Sequence, residues 1–184
     1  MSRTIGIIAG SLRRDSFSKK LAAAVLEMAS EGFDFKIISI DDLPLYNQDF
    51  DDDGNAPASY ETFRNEVKTL DGIIFITPEY NRSVPAVLKN ALDLGSRPYG
   101  KSVWDTKPAA IFSNSPGLLA AFGANHHLRQ SLVFLNMPVM QQPEVYISKV
   151  AEAFDESGAF KDGRTKDLLQ RAVDAYVAWF SKTA

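Results

Sequence analysis

Thr4-Ile5-Gly6-Ile7-Ile8-Ala9 is a nearly unbroken apolar run that passes directly into Gly10-Ser11-Leu12-Arg13-Arg14-Asp15-Ser16-Phe17-Ser18, a polar stretch at the head of a helical pattern. A strand that is apolar on both faces is what a parallel sheet requires when helices cover each side of it. The helix that follows starts at about Ser16 and carries Leu21, Val25, Met28 and Ala29 on one stripe. Phe35 to Ile40 reads as a second strand. The connection from Asp41 to Pro57 is then long for a compact domain, with Pro44, Gly54 and Pro57 as breakers and Asp51, Asp52 and Asp53 as a solvated acidic tip.

The alternation continues to the end of the chain. Tyr60, Phe63, Val67 and Leu70 make the stripe of a second helix, and Gly72-Ile73-Ile74-Phe75-Ile76-Thr77 is a third apolar strand. Ser83 is suited to N-cap a third helix, with Pro85 in the first turn and Val84, Val87, Leu88, Ala91 and Leu92 on one face. Pro108 to Ser113 reads as the fourth strand. Leu128, Leu132 and Leu135 belong to a fourth helix beginning after Gly117, and Pro138 to Ile147 contains the fifth strand. Leu169, Ala172, Val173, Tyr176, Val177 and Phe180 mark the last helix. Five strands and five helices in alternation, without repeats or linkers, predict one domain over residues 1–184. Its class is α/β: a three-layer, doubly wound, flavodoxin-like fold whose five-stranded parallel sheet has the order 2-1-3-4-5. In such a sheet a ligand sits outside the carboxyl ends of the strands, where strand order reverses, so the loops after strands one, three and four are the places to look.

Composition narrows the partner. The 20 Lys+Arg and 23 Asp+Glu leave a net charge of −3, so a bound phosphate must be met by a local arrangement, and nucleic acid is not an expected partner. The absence of cysteine excludes disulfides, thiolate metal sites and Cys nucleophiles, and fits a cytoplasmic setting. Runs such as Ile73 to Ile76 fall far short of the roughly 20 residues of a membrane span, and Ile5 to Ala9 is too short for a signal-peptide core. A hydrophobic share of 45% is that of a packed globular core, which leaves a small enzyme or a small-ligand binder.

The first loop places three serines and an arginine at a helix N-terminus, where backbone N–H groups already favour an anion, so a terminal phosphate is the expected occupant. It lacks Gly-x-Gly-x-x-Gly, which argues against a dinucleotide fingerprint. The second loop, Pro78-Glu79-Tyr80-Asn81-Arg82-Ser83, sets an aromatic and an amide at the sheet rim, suited to a flat heteroaromatic ring. The third, Asn114-Ser115-Pro116-Gly117, has small residues that let backbone approach a ligand.

Together, Gly10-Ser11-Leu12-Arg13 with Ser16-Phe17-Ser18, Pro78-Glu79-Tyr80-Asn81-x-Ser83-x-Pro85 and Leu88-Lys89-Asn90-Ala91-Leu92-Asp93 resemble the NADPH-dependent FMN reductase family, and within it the bacterial quinone, chromate and azo-dye reductases. His127-Leu128-Arg129-Gln130 and Val133-Phe134-Leu135 extend the likeness to about residue 147. The resemblance implies that Ser11, Arg13, Ser16, Phe17 and Ser18 hold the FMN phosphate. It assigns the isoalloxazine ring to Pro78, Glu79, Tyr80 and Asn81, and its far side to Ser115 and Gly117. It also implies NADPH or NADH as electron donor and quinones, free flavins, azo dyes or chromate as acceptors. Because a flavin carries the redox chemistry, no catalytic side chain is required, and one shared flavin face implies ping-pong exchange. Two departures stand out: Leu118-Leu119-Ala120-Ala121 replaces the adjacent glycines common in relatives, and Arg82 occupies a position that is often aromatic. Relatives are commonly dimers or dimers of dimers, so a homodimer or homotetramer is expected, with Tyr46, Phe50, Tyr99 and Trp104 as interface material. The rival reading is a flavodoxin-type FMN electron carrier that does not oxidise NAD(P)H.

Two further features carry less. Gly95-Ser96-Arg97-Pro98-Tyr99-Gly100-Lys101-Ser102 matches the P-loop letters but follows a helical stripe, and Pro108 leaves no room for the helix that a P-loop opens. His126 and His127, the only histidines, point about 100° apart on a helix and cannot share a metal as an i, i+4 pair would, so no metal site is expected.

Overall fold

The two-residue period of a strand divides the opening apolar run between two cores. In the computed structural model, which describes residues 2–161 and 163–183, Ile5, Ile7 and Ala9 point into one layer and Ile8 into the other. The elements are β1 (Arg3–Ala9), α1 (Phe17–Leu26), β2 (Phe33–Ile37), α2 (Gln48–Asp52), α3 (Ala58–Lys68), β3 (Gly72–Thr77), α4 (Ala86–Gly95), β4 (Ala109–Asn114), α5 (Phe122–Phe134), β5 (Val145–Ile147), a 3-10 turn at Val150–Ala153, and α6 (Gly163–Thr183). All strand pairs are parallel and the sheet order is β2-β1-β3-β4-β5, the predicted one. One core packs α1 and α6 on Ile74, Ile76 and Phe112. The other packs α3, α4 and α5 on Ile73, Phe75 and Ile111. No helix among the described residues is long and apolar enough to cross a membrane.

Four local expectations change. The second strand is Phe33–Ile37 rather than 35–40, because the ladder runs from Arg3↔Phe33 to Ile7↔Ile37; Ile38 and Ile40 are buried beyond the end of the pairing. Ser83 does not cap α4. Its N–H and carbonyl both bond to Tyr80, at 3.0 and 3.1 Å, in a hairpin turn, and the helix starts after Pro85. The long connection contains α2, and Asp51 is not solvated. Its two oxygens accept 2.7 Å bonds from Arg64 with both side chains almost buried, and Arg64 Nε also donates to Leu94 O at 3.1 Å. The Arg64 guanidinium therefore holds the Asp51 carboxyl below its ordinary value against the opposing effect of burial. Finally, Trp104 is fully buried, donating to Leu92 O at 2.9 Å, while Tyr46 and Phe50 pack on Tyr60, so only Tyr99 of the four aromatics is exposed. Gly95 of the P-loop look-alike closes α4 against that indole; a Cβ there would lie 2.5 Å from Trp104 Nε1.

Candidate functional site

β1, β3 and β4 end side by side, and the loops leaving them enclose a cavity of about 220 Å³ lined by Ser11, Arg13, Ser16, Phe17, Ser18, Pro78, Glu79, Tyr80, Asn114, Ser115 and Pro116. Larger hollows exist, such as one of about 820 Å³ between α1 and α6, but that one lies away from the strand ends and gathers no buried polar side chains. In the strand-end cavity, by contrast, Ser11, Ser16, Ser18 and Asn114 are all buried. Ser16, in extended backbone at φ −75° and ψ 125°, N-caps α1 by accepting the Lys19 N–H at 3.3 Å. A hydroxyl that accepts there keeps its own proton to donate elsewhere. The first turn of α1 holds no acidic residue, so no carboxylate of the helix offsets its positive dipole end, and the Phe17 and Ser18 N–H groups donate to no described residue. Arg13 is exposed and makes no ion pair with another described residue. Hydroxyl donors, helix N–H groups and one cation thus converge on a small volume. That donor set fits a phosphate ester.

Among the described residues the lining holds one carboxylate, Glu79, and the protein engages it. Glu79 Oε2 accepts the Ala124 N–H of α5 at 3.0 Å and Oε1 lies 3.8 Å from Arg82. Ala121, at the N-cap of α5, offers no side-chain cap, so Glu79 caps that helix from 45 residues away. Gly123 makes the approach feasible: a Cβ there would sit 2.8 Å from Arg82 O and 2.9 Å from Glu79 Oε2. Asn81 and Arg82, at φ 51° and 67°, form the centre of the two-residue turn between Tyr80 and Ser83, where a type I′ turn needs positive φ at both positions. This holds the Tyr80 ring, about half exposed, beside the cavity mouth.

The β4–α5 loop closes the other wall. Ala120 and Ala121, buried at φ 50° and 61°, take the left-handed conformation that adjacent glycines adopt freely, so the departure from the glycine pattern alters residues without abolishing that backbone shape. Ser115 Oγ accepts from Gly117 N at 3.0 Å, while Gly117 O accepts from Lys149 N at 3.3 Å. His127 contacts Ser83 Oγ at 3.0 Å, whereas His126 meets the Tyr146 hydroxyl at 3.1 Å, so the two rings serve different neighbours. Burial, helped by Glu144 at 2.9 Å, pushes Tyr146 up to about 12, and it stays protonated at neutral pH.

The cavity brings together every residue expected from the sequence except Asn81, at the tip of its turn, and Gly117, tied toward the β5 side. Phe17 joins its wall while stacking on Phe154, with ring centroids 6.3 Å apart. Asn114 and Pro116 belong to the third candidate loop but carried no side-chain role in the sequence, and the role of Gly123 was not legible there. A Gly two residues after Ala121 was visible as a signal, but its partner loop was not.

Comparison with known proteins adds an independent line. A family model described as NADPH-dependent FMN reductase matches residues 3–152. The chain is 48% identical to a quinone reductase of Pseudomonas putida over 96% of this chain and 94% of that protein. It is 38% identical to an NAD(P)H-dependent FMN reductase of Pseudomonas aeruginosa, over 94% and 92%. Among solved structures, the flavoenzyme NAD(P)H:(acceptor) oxidoreductase FerB of Paracoccus denitrificans superposes with a TM-score of 0.89 at 39% identity, covering 98% of each chain.

Proposed function

The chain belongs to the NADPH-dependent FMN reductase family, and from that premise we propose that it is an FMN-dependent NAD(P)H oxidoreductase that reduces quinones, free flavins or related acceptors. The observation that carries the reading is the convergence of three buried serine hydroxyls on the uncompensated N-terminus of α1, at the switch point between β1 and β3. FMN, when bound, supplies hydride acceptance from the nicotinamide and donation to the acceptor. The protein's own part is binding and orientation. Ser11, Ser16, Ser18, the first-turn N–H groups of α1 and Arg13 hold the phosphate. Pro78, Glu79, Tyr80 and Asn81 supply one side of the ring site through the rigid turn they form, and Ser115 and Gly117 supply the other. The Ala124 N–H at the start of α5 binds the Glu79 carboxylate and would partly offset its charge beside the ring site.

With FMN held in this one cavity, donor and acceptor would be expected to exchange in turn, a ping-pong cycle that gives parallel lines in double-reciprocal plots. The decisive experiment is anaerobic. Protein reconstituted with FMN should show a flavin spectrum that NADPH bleaches promptly and a quinone restores. Persistent colour would instead mean a flavodoxin-type carrier, and failure to take up FMN would end the reading altogether. A cytoplasmic setting follows from the same reading, because NAD(P)H is supplied there.

We also propose that the chain works as a homodimer or homotetramer. Support comes from Val133 and Phe134, exposed by 74% and 83% on α5. Phe134 borders a groove of about 500 Å³ that Val84, Leu92 and Leu135 help to line between α4 and α5. An apolar knob beside a groove that also carries Lys89, Asp93 and Arg97 suits a self-complementary contact on one face. Light scattering should return two or four chain masses, and one chain mass would refute it.

A further inference from the structure

We infer that Asn114, the last residue of β4, is a positioning residue that fixes the Ser18 hydroxyl as a hydrogen-bond donor to the phosphate of FMN. This rests on the phosphate assignment above. Asn114 is 2% exposed and Ser18 1% exposed, and both line the cavity at the α1 N-terminus. One terminal atom of the Asn114 amide lies 3.0 Å from Ser18 Oγ and 3.3 Å from Thr77 O. A backbone carbonyl can only accept, so the atom facing Thr77 must be the NH2 group. Its two protons are then assigned, one to the β3 carbonyl and one to the serine. Ser18 Oγ is thereby an acceptor from Asn114, and its own single proton is left to find a partner.

Among the described residues that proton has only a poor choice. Asn114 Oδ1 is 3.4 Å from Ser18 Oγ, well beyond the ordinary O–H···O range of about 2.5–3.0 Å. An anionic oxygen placed in the cavity offers a shorter and stronger bond. The same polarity governs Ser16, whose hydroxyl accepts from Lys19 N and so also presents a proton. Asn114 thus cross-links the ends of β3 and β4 to the first turn of α1 and sets the direction of a hydrogen bond at the ligand. A carboxylate at this position would reverse it: it would draw the serine proton to itself, repel the Thr77 carbonyl, and bring a negative charge toward the phosphate.

The test is equilibrium binding to apoprotein, followed by flavin fluorescence, with FMN and with riboflavin, which shares the ring and ribityl chain but lacks the phosphate. Asn114→Asp should weaken FMN by about 100-fold and riboflavin by less than about 3-fold, as expected when a charge-assisted bond is lost and a repulsion gained. Ser18→Ala should weaken FMN about 10-fold, and adding Asn114→Ala to it should cost FMN affinity no more than it costs riboflavin, since the two residues act through one proton. If Asn114→Asp does not fold, Asn114→Ser carries the same comparison with a smaller expected loss, about 3- to 10-fold for FMN alone. Equal losses for FMN and riboflavin in the Asn114 variants would show a merely structural residue and overturn the inference while leaving the phosphate site intact. Unchanged FMN affinity in Ser18→Ala would overturn the phosphate assignment at Ser18 itself.

Discussion

Gly123→Ala should damage a helix cap and the cofactor site in one step, although alanine is the better helix former. Gly123 is the second residue of α5, and its missing Cβ lets the helix end approach the β3–α4 loop. A methyl group there would lie 2.8 Å from Arg82 O and 2.9 Å from Glu79 Oε2, so a backbone carbonyl and a cap carboxylate must both retreat by several tenths of an ångström. The bond at risk runs from Ala124 N to Glu79 Oε2, 3.0 Å and charge-assisted, worth about 1.5–3 kcal/mol. Helix propensity returns up to about 1 kcal/mol. The net is a destabilisation of about 0.5–2 kcal/mol. At roughly 2.1 cal/mol/K per residue, the unfolding entropy of this chain is about 0.4 kcal/mol/K, so Tm should fall by about 1–5 °C in calorimetry. Because the loop that moves carries Tyr80, affinity for FMN and for riboflavin should fall together, the pattern of a disturbed ring site rather than a disturbed phosphate site. A Tm at or above the wild-type value with unchanged flavin affinity would refute the reasoning, since helix propensity alone would then govern the position.

Three other perturbations separate the remaining contributions. Arg13→Ala should weaken FMN about 10-fold or more while leaving riboflavin nearly unchanged in the same fluorescence titration, and the FMN loss should shrink as salt is raised; equal loss for both flavins would remove Arg13 from the phosphate site. Asp51→Asn leaves the nearly buried Arg64 guanidinium without its carboxylate and should cost about 3 kcal/mol at pH 7. Because the folded Asp51 carboxyl titrates below its ordinary value, its stabilisation is complete above that ordinary value and is lost as pH falls through the folded one; the Tm gap between wild type and variant should therefore close on acidification below about pH 4, and a gap constant down to pH 2 would contradict the pairing. Ala121→Gly should change stability by less than about 1 kcal/mol, because relief of the left-handed conformation, about 1–2 kcal/mol, is offset by extra chain entropy and a lost buried methyl; Ala121→Val should lower Tm by more than 5 °C, and equal behaviour of the two variants would show that φ at this position is not the constraint.

What the sequence made legible follows the range over which each feature is determined. Ile5, Ile7 and Ile8 announce a strand buried on both faces because a strand's period is read within six residues, and the helix start near Ser16 is legible because its capping partner, Lys19, lies three residues on. The parallel order followed from counting such local units. Ser83 misled for the same reason. It has the chemistry of an N-cap, but the Tyr80–Ser83 hairpin uses its backbone first, and nothing in the Asn81-Arg82 pair advertises a turn that usually takes glycine at its second position. Asp51 looked solvated because its partner, Arg64, belongs to another element and is recognisable only once α2 folds onto α3. The cofactor loops were legible as positions, yet the work of Glu79 and Asn114 was not, since their partners lie 45 and 96 residues away.

Those distant partners explain how a chain of net charge −3 can present an anion site without a basic surface. Around the cavity several acceptors that could repel a phosphate are already engaged by the protein: Glu79 Oε2 accepts from Ala124 N, the Thr77 carbonyl accepts from Asn114, and the Ser16 and Ser18 oxygens accept from Lys19 N and Asn114 Nδ2. What remains directed inward is a set of protons, from the serine hydroxyls and the helix N–H groups, with one exposed arginine at the edge. A site assembled by satisfying acceptors internally discriminates by donor count rather than by field strength. It should therefore prefer a phosphate monoester, whose three terminal oxygens can take all of these donors, over a carboxylate that offers two, and high salt should weaken the Arg13 contribution while leaving the buried serine contribution largely in place.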